Sequence, residues 1–187
     1  MEFTIDQIKE VLAKKGYKFF DDELNIIGIR SNSDVANSFD DWLYLIKGDD
    51  APLIFPITTD PGTYWLNNPL SVDGTAVLVP GQYIGSHKIG LHQGKYEALK
   101  QESYLKVWRD NNKDNIIDRD GKIYQGMFGI NIHRSNPTTE SQIVEKWSAG
   151  CQVFQKVDDF DRFMQTCKDS GQSLFTYTLL EESDFLK

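Results

Sequence analysis

"GMFGINIHRSNPTTESQIVEKWSAGCQVF", residues 126–154, carries the alternation that decides the fold. From Phe128 to His133, apolar Phe128, Ile130 and Ile132 alternate with Gly129, Asn131 and His133, the period-two pattern of a strand with one apolar face. "CQVF" at 151–154 reads as another strand, opening directly after Ser148-Ala149-Gly150. The intervening loop is long enough to fold over and let the two strands meet.

Working outward, the same reading repeats. "LNIIGIRS", "WLYLIKG" and "PLIFPITT" are short apolar or β-branched runs separated by Ser, Asn, Asp, Gly and Pro clusters, as are "GTAVLVPGQYIGSHKIG", "SYLKVWRD" and "SLFTYTLLE". Only two segments have helical spacing. Residues 4–15 set Ile5, Ile8, Val11 and Leu12 on one face, with Thr4 as N-cap and Gly16 as stop. Residues 156–170 bring Val157, Phe160, Phe163, Met164 and Cys167 together three and four apart. The pattern predicts an α+β, mostly β fold: a helical appendage over residues 1–20 and one β-rich domain over 21–187.

The bulk composition of 187 residues, 40% hydrophobic and 26% charged, suits a globular chain that buries a sizeable core. A net charge of −8 argues against nucleic acid as a partner, because neutralising phosphates requires clustered Lys and Arg. No run approaches the roughly 18 apolar residues of a membrane span, so membrane insertion is not expected. The N-terminus lacks a basic segment followed by an apolar run, which implies a cytoplasmic protein or one released by another route.

Two cysteines cannot make a disulfide framework, and free thiols are expected. Cys167 reads as a buried small hydrophobe. Cys151 is different: Gly150 lets backbone and substrate approach closely, and the amides of Gly150 and Cys151 can face a developing oxyanion. His133 sits on the face opposite the apolar residues, exposed at a strand end, where an imidazole can favour thiolate at a neighbouring cysteine. Read from residue types alone, both roles stay open, the structural one being the commoner.

His133, a loop, then Ser148-Ala149-Gly150-Cys151 resembles the signature of the L,D-transpeptidase (YkuD-type) catalytic domain, in which a histidine precedes a Ser/Thr-His-Gly-Cys block. His133 stands 15 positions before Ser148. The resemblance implies an L,D-transpeptidase-like β-sandwich or barrel that acts on peptidoglycan or muropeptide stem peptides through a thioester, by transfer or hydrolysis, with no required cofactor. By it Cys151 is the nucleophile, His133 the base, and Ser148 and Gly150 shape the block, a backbone carbonyl near Ser148 fixing the imidazole tautomer. Two departures stand out. Ala149 replaces the block's histidine, and Gln152-Val153-Phe154 follows Cys151 where the family carries Arg or Asn. Gln152 and Arg134 are the nearest polar replacements for substrate binding, although a regular strand turns Arg134 away from His133. The resemblance also points to a divergent, phage-encoded or Bacteroidetes-type branch.

Other residues invite weaker readings. His87 and His92 in "GSHKIGLHQG" are expected at the surface or the substrate rim, with a three-histidine zinc site disfavoured. "DNNKDNIIDRDG", residues 110–121, places Asp110, Asn112, Asp114 and Asp118 at the first, third, fifth and ninth positions of a calcium loop, with Ile117 at the eighth. Asn115 stands where Gly is usual, and Gly121 where a bidentate Glu closes the shell. Structural calcium and an empty hairpin connection stand side by side. A non-enzymatic reading also exists, a phage structural or cell-wall binding module holding glycan or protein with Trp42, Trp65, Trp108 and Trp147, though most tryptophans lie in cores or at their edges.

Overall fold

The computed structural model describes residues 2–186. Its strands are β1 (Leu24–Arg30), β2 (Asp41–Lys47), β3 (Leu53–Thr58), β4 (Thr75–Leu78), β5 (Gly81–His92), β6 (Tyr96–Gln101), β7 (Leu105–Asp110), β8 (Tyr124–Gly126), β9 (Ile132–Arg134), β10 (Gln152–Phe154) and β11 (Phe175–Glu181). The helices are α1 (Ile5–Lys14), α2 (Thr63–Asn67) and α3 (Val157–Asp169), followed by a 3-10 turn at Glu182–Phe185. Eight strands close into a barrel in the order β1-β11-β5-β6-β9-β10-β3-β2, and β4-β7-β8 form a separate sheet. The fold is α+β and mostly β.

Alternation fills the barrel. Ile26, Leu43, Phe55, Ile132, Phe154 and Tyr177 point inward and pack into one core, to which α3 adds Phe160, Phe163, Met164 and Cys167. Cys167 is thus an inert core residue whose thiol burial pushes up to about 12. Gly28 of β1 leaves the space that the ring and hydroxyl of Tyr177 occupy. That hydroxyl donates to Gln152 Oε1 at 2.6 Å, tying β11 to the start of β10 across the lumen.

Helix α1 begins in a capping box: Thr4 Oγ1 accepts from the Gln7 amide at 3.2 Å, and Gln7 Oε1 from the Thr4 amide at 2.8 Å. Its apolar stripe, Ile8, Val11 and Leu12, lies on Ile27, Ile29, Tyr44 and Ile46. A second core forms on the outer face of β1 and β2, so the N-terminal segment is seated on the barrel. Among the described residues no helix is long and apolar enough to cross a membrane.

Several segments differ from the sequence reading, the short helix α2 among them. The run 74–90 divides at Pro80 into β4 and β5, which belong to different sheets. Strand β6, "YEALKQ", was not expected because Glu, Lys and Ala are weak strand formers. It pairs with β5 through a tight turn in which Gln93 and Gly94 take φ of 51° and 71° and the Lys95 amide donates to the His92 carbonyl at 2.9 Å. Residues 126–133 are not one strand: Gly129, at φ 73°, breaks them into β8 and β9. Gln101 supplies the missing ladder there, its Oε1 accepting from the amides of Phe128 (3.0 Å) and Ile130 (3.1 Å). The apolar parity survives the break, since Ile130 and Ile132 both enter the core.

Candidate active site

Parallel pairing sets Gln152 beside Ile132 and Val153 beside His133. One step earlier, the Gln152 amide donates to the Asn131 carbonyl at 2.9 Å, so Cys151 lies beside Asn131. Because Ile132 and Gln152 face the lumen, alternation turns Cys151, Asn131 and His133 to the outer face. The sulfur and the imidazole stand one diagonal step apart on neighbouring strands. Both line a cleft of about 870 Å³.

The turn before Cys151 is built by buried groups. Ser148 Oγ donates to the Cys151 carbonyl at 2.8 Å and accepts from the Gly150 amide at 3.1 Å, while the Ser148 carbonyl accepts from the Gly62 amide at 2.9 Å. Gly150 takes φ 113°, and a Cβ there would run into the carbonyl of Ala76. Its close approach is therefore to strand β4 and not to a substrate. Of the two amides expected to face an oxyanion, that of Gly150 is taken by Ser148 Oγ. The Cys151 N–H has no acceptor among the described residues.

Cys151 Sγ donates to the Gly129 carbonyl and accepts from the Asn131 amide, each at 3.4 Å. Partly exposed at the cleft yet closely surrounded, it carries a thiol that burial pushes up to about 11, against the downward pull of the Asn131 amide. His133 is 4% exposed, more enclosed than the strand-end reading implied. Burial, then the neighbouring His92, hold its imidazole down to about 3. No hydrogen bond joins Sγ to the imidazole in this resting arrangement; thiol and imidazole are both neutral.

The tautomer of His133 follows from its partner. Nδ1 lies 2.8 Å from the Arg134 carbonyl, which only accepts, so Nδ1 carries the proton and Nε2 holds a free lone pair. The orienting carbonyl is that of Arg134 and not one near Ser148. The Tyr96 hydroxyl donates to the same carbonyl at 3.3 Å. Strand β9 ends at Arg134, which brings this side chain into the cleft with its guanidinium 4.2 Å over the Tyr96 ring. The expectation that Arg134 faces away is corrected by that strand end. Gln152 is fully buried in the lumen and cannot touch a substrate.

His87 and His92 are not surface histidines. They lie five apart on one strand and so on opposite faces. His87 is completely buried, 2.9 Å from Ser86 Oγ and 3.1 Å from the Ile130 carbonyl, and burial holds it down to about 4. His92 is stacked on His133, ring centroids 4.0 Å apart at 22°. Sequence reasoning missed its place because it depends on the β5–β6–β9 pairing. The cleft wall also holds Lys95, Lys146, Trp65 and Trp147, and among the described residues no acidic one lines it. Trp42 and Trp108 pack instead against cores.

The acidic loop lies apart from this cleft. Asn115 does adopt φ 66°, and Ile117 is buried as an anchor. Asp110 is completely buried, with Oδ2 accepting from the Asp118 amide at 3.0 Å and Oδ1 unpartnered. However, the Asn112 and Asp114 oxygens already hold the amides of Asp114 and Ile116, and Asn112 turns its Nδ2 donor towards Asp118. Among the described residues no three His, Cys, Asp or Glu side chains gather to hold a metal.

Comparison of the chain with protein-family models, curated proteins and solved structures returned no match.

Proposed function

We propose that this protein is a cysteine acyltransferase or hydrolase of the L,D-transpeptidase type, acting on peptidoglycan stem peptides through a thioester. One observation carries the reading: Cys151 and the unprotonated Nε2 of His133 open into the same cleft from adjacent parallel strands. The cleft's cations add support. On a chain of net charge −8, a wall carrying Lys95, Arg134 and Lys146, with no acidic side chain among the described residues, suits a substrate with free carboxylates, as stem peptides have.

In the proposed cycle, substrate binding excludes water and draws the Cys151 proton to His133 Nε2 as Sγ attacks the carbonyl carbon. The C–S bond forms, the carbonyl electrons move to oxygen, and in this reading the Cys151 N–H donates to that oxyanion. Collapse breaks the C–N bond, and the His133 imidazolium returns its proton to the departing amine. A second amine, or water, then attacks the thioester and releases Cys151. No cofactor enters these steps.

The test is turnover of purified disaccharide-tetrapeptide muropeptides, with products read by mass. Wild-type protein is expected to give a shortened or cross-linked peptide, Cys151→Ala none, and His133→Ala a rate lower by about 10²–10⁴. Indistinguishable digests would sink the enzyme reading. A binding module is the alternative, favoured by the neutral resting pair and by Trp65 and Trp147 at the cleft. For that reading muropeptide binds wild-type protein and Cys151→Ala equally, and neither changes it.

A further inference from the structure

A hydrogen-bond chain beside the thiol fixes the state of His92. The Gln101 backbone N–H, which can only donate, reaches Asn131 Oδ1 at 3.0 Å. That contact orients the Asn131 amide unambiguously, so its Nδ2, 3.1 Å from His92 Nδ1, donates. His92 Nδ1 must then hold a lone pair, and the ring's proton sits on Nε2. No described residue accepts from this N–H, and His92 lines the cleft.

His133, stacked on the same ring, is fixed in the other sense, with its proton on Nδ1 and its lone pair on Nε2. We propose that the two imidazoles form a matched pair, His133 taking the proton and His92, held neutral by Asn131, donating from Nε2 to an oxygen of the bound peptide. This rests on the reading of the cleft as an acyl-transfer site, and it supplies what that site lacks. Of the Gly150 and Cys151 amides, that of Cys151 alone lacks an acceptor among the described residues, since Ser148 occupies the Gly150 N–H. Neutrality matters as much as the donor. A cationic ring against the face of His133 would oppose the positive charge that His133 must acquire when it deprotonates the thiol.

The same chain ties this pair to the nucleophile, because the Asn131 backbone N–H is the one bonded to Cys151 Sγ. Asn131 is therefore a positioning residue for both. Nothing in the residue types announces this, because Gln101, His92 and Asn131 meet only through barrel pairing.

The experiment uses nitrogen-15-labelled full-length protein. Imidazole nitrogen shifts between pH 6 and pH 8 are expected to report opposite neutral tautomers for His92 and His133. Asn131→Asp, which replaces the donor by an acceptor, is expected to move a proton onto His92 Nδ1. A wild-type His92 with its proton on Nδ1, or a cationic His92 at pH 7, overturns the proposal. The second arm binds disaccharide-tetrapeptide muropeptide to Cys151→Ala protein, which needs no turnover. Adding His92→Phe, which keeps a stacked ring without the donor, should weaken binding about tenfold, and unchanged affinity in the folded double variant overturns the donor role. Opposite tautomers and the tenfold loss, seen together with no turnover by wild-type protein, would remove the catalytic reading and leave the pair as a peptide-binding device.

Discussion

At the scale of single residues, the site is defined by protonation. With the Cys151 thiol held up to about 11 and His133 down to about 3, the resting pair contains no thiolate at neutral pH. Alkylation by iodoacetamide is therefore expected to keep accelerating from pH 7 beyond pH 9, without the plateau near pH 6 that a preformed thiolate–imidazolium pair gives. Cys167, buried in the core, should stay unlabelled until the protein unfolds. Cys151 and His133 were legible in the sequence because both signals are local: a cysteine after Ser-Ala-Gly, and a histidine on the polar parity of a strand. His92 was not, because its partner His133 lies 41 residues away and the two meet only through the register of intervening strands.

Among the elements, the Ser148–Gly150 turn and the acidic loop carry opposite lessons. Gly150→Ala combines a left-handed φ with a collision against the Ala76 carbonyl, so unfolding titrations should show a loss of at least about 2 kcal/mol. The glycine was conspicuous in the sequence, but its neighbour was not, and the close approach to substrate became one to β4. In the acidic loop, Asp110 is held above the usual carboxylate range, chiefly by burial and then by the charges of Asp118 and Asp114. Asp110→Asn removes that repulsion, and with chelator present the melting temperature should rise by roughly 2–4 °C, about 1 kcal/mol for a chain of this size. Strands with β-branched runs were readable end to end. Strand β6 was not, because its residues are held by pairing on both sides and not by propensity.

Across the whole molecule, the three histidines bias stability in one direction. Burial depresses His87 to about 4 and His133 to about 3, and lowers His92 as well. Unfolded imidazoles take up protons as pH falls through about 6.5, whereas the folded ones resist. Their contribution is present above that pH and lost as pH falls towards the folded values, on the order of 2 kcal/mol for His87 by pH 5. Asp41, raised chiefly by burial and then by Asp60, acts oppositely: its share is present in acid and fades as pH rises above the carboxylate range. Denaturant titrations of wild type and His87→Gln at pH 7 and pH 5 isolate the histidine part. The variant should lose less on acidification by about that amount, and an identical loss in both proteins would refute the linkage.

Strands β9 and β10 lie parallel, and parallel neighbours cannot be joined by a short hairpin. The chain between them must travel over the outside of the barrel, and on its way it supplies Pro137, Lys146 and Trp147 to the cleft wall. The cleft wall and the Cys151–His133 pair thus come partly from separable stretches of polypeptide. Under the proposed function, exchanging or lengthening residues 136–146 redraws the cleft wall and leaves Cys151 and His133 in place, so the peptides admitted should change before the chemistry does.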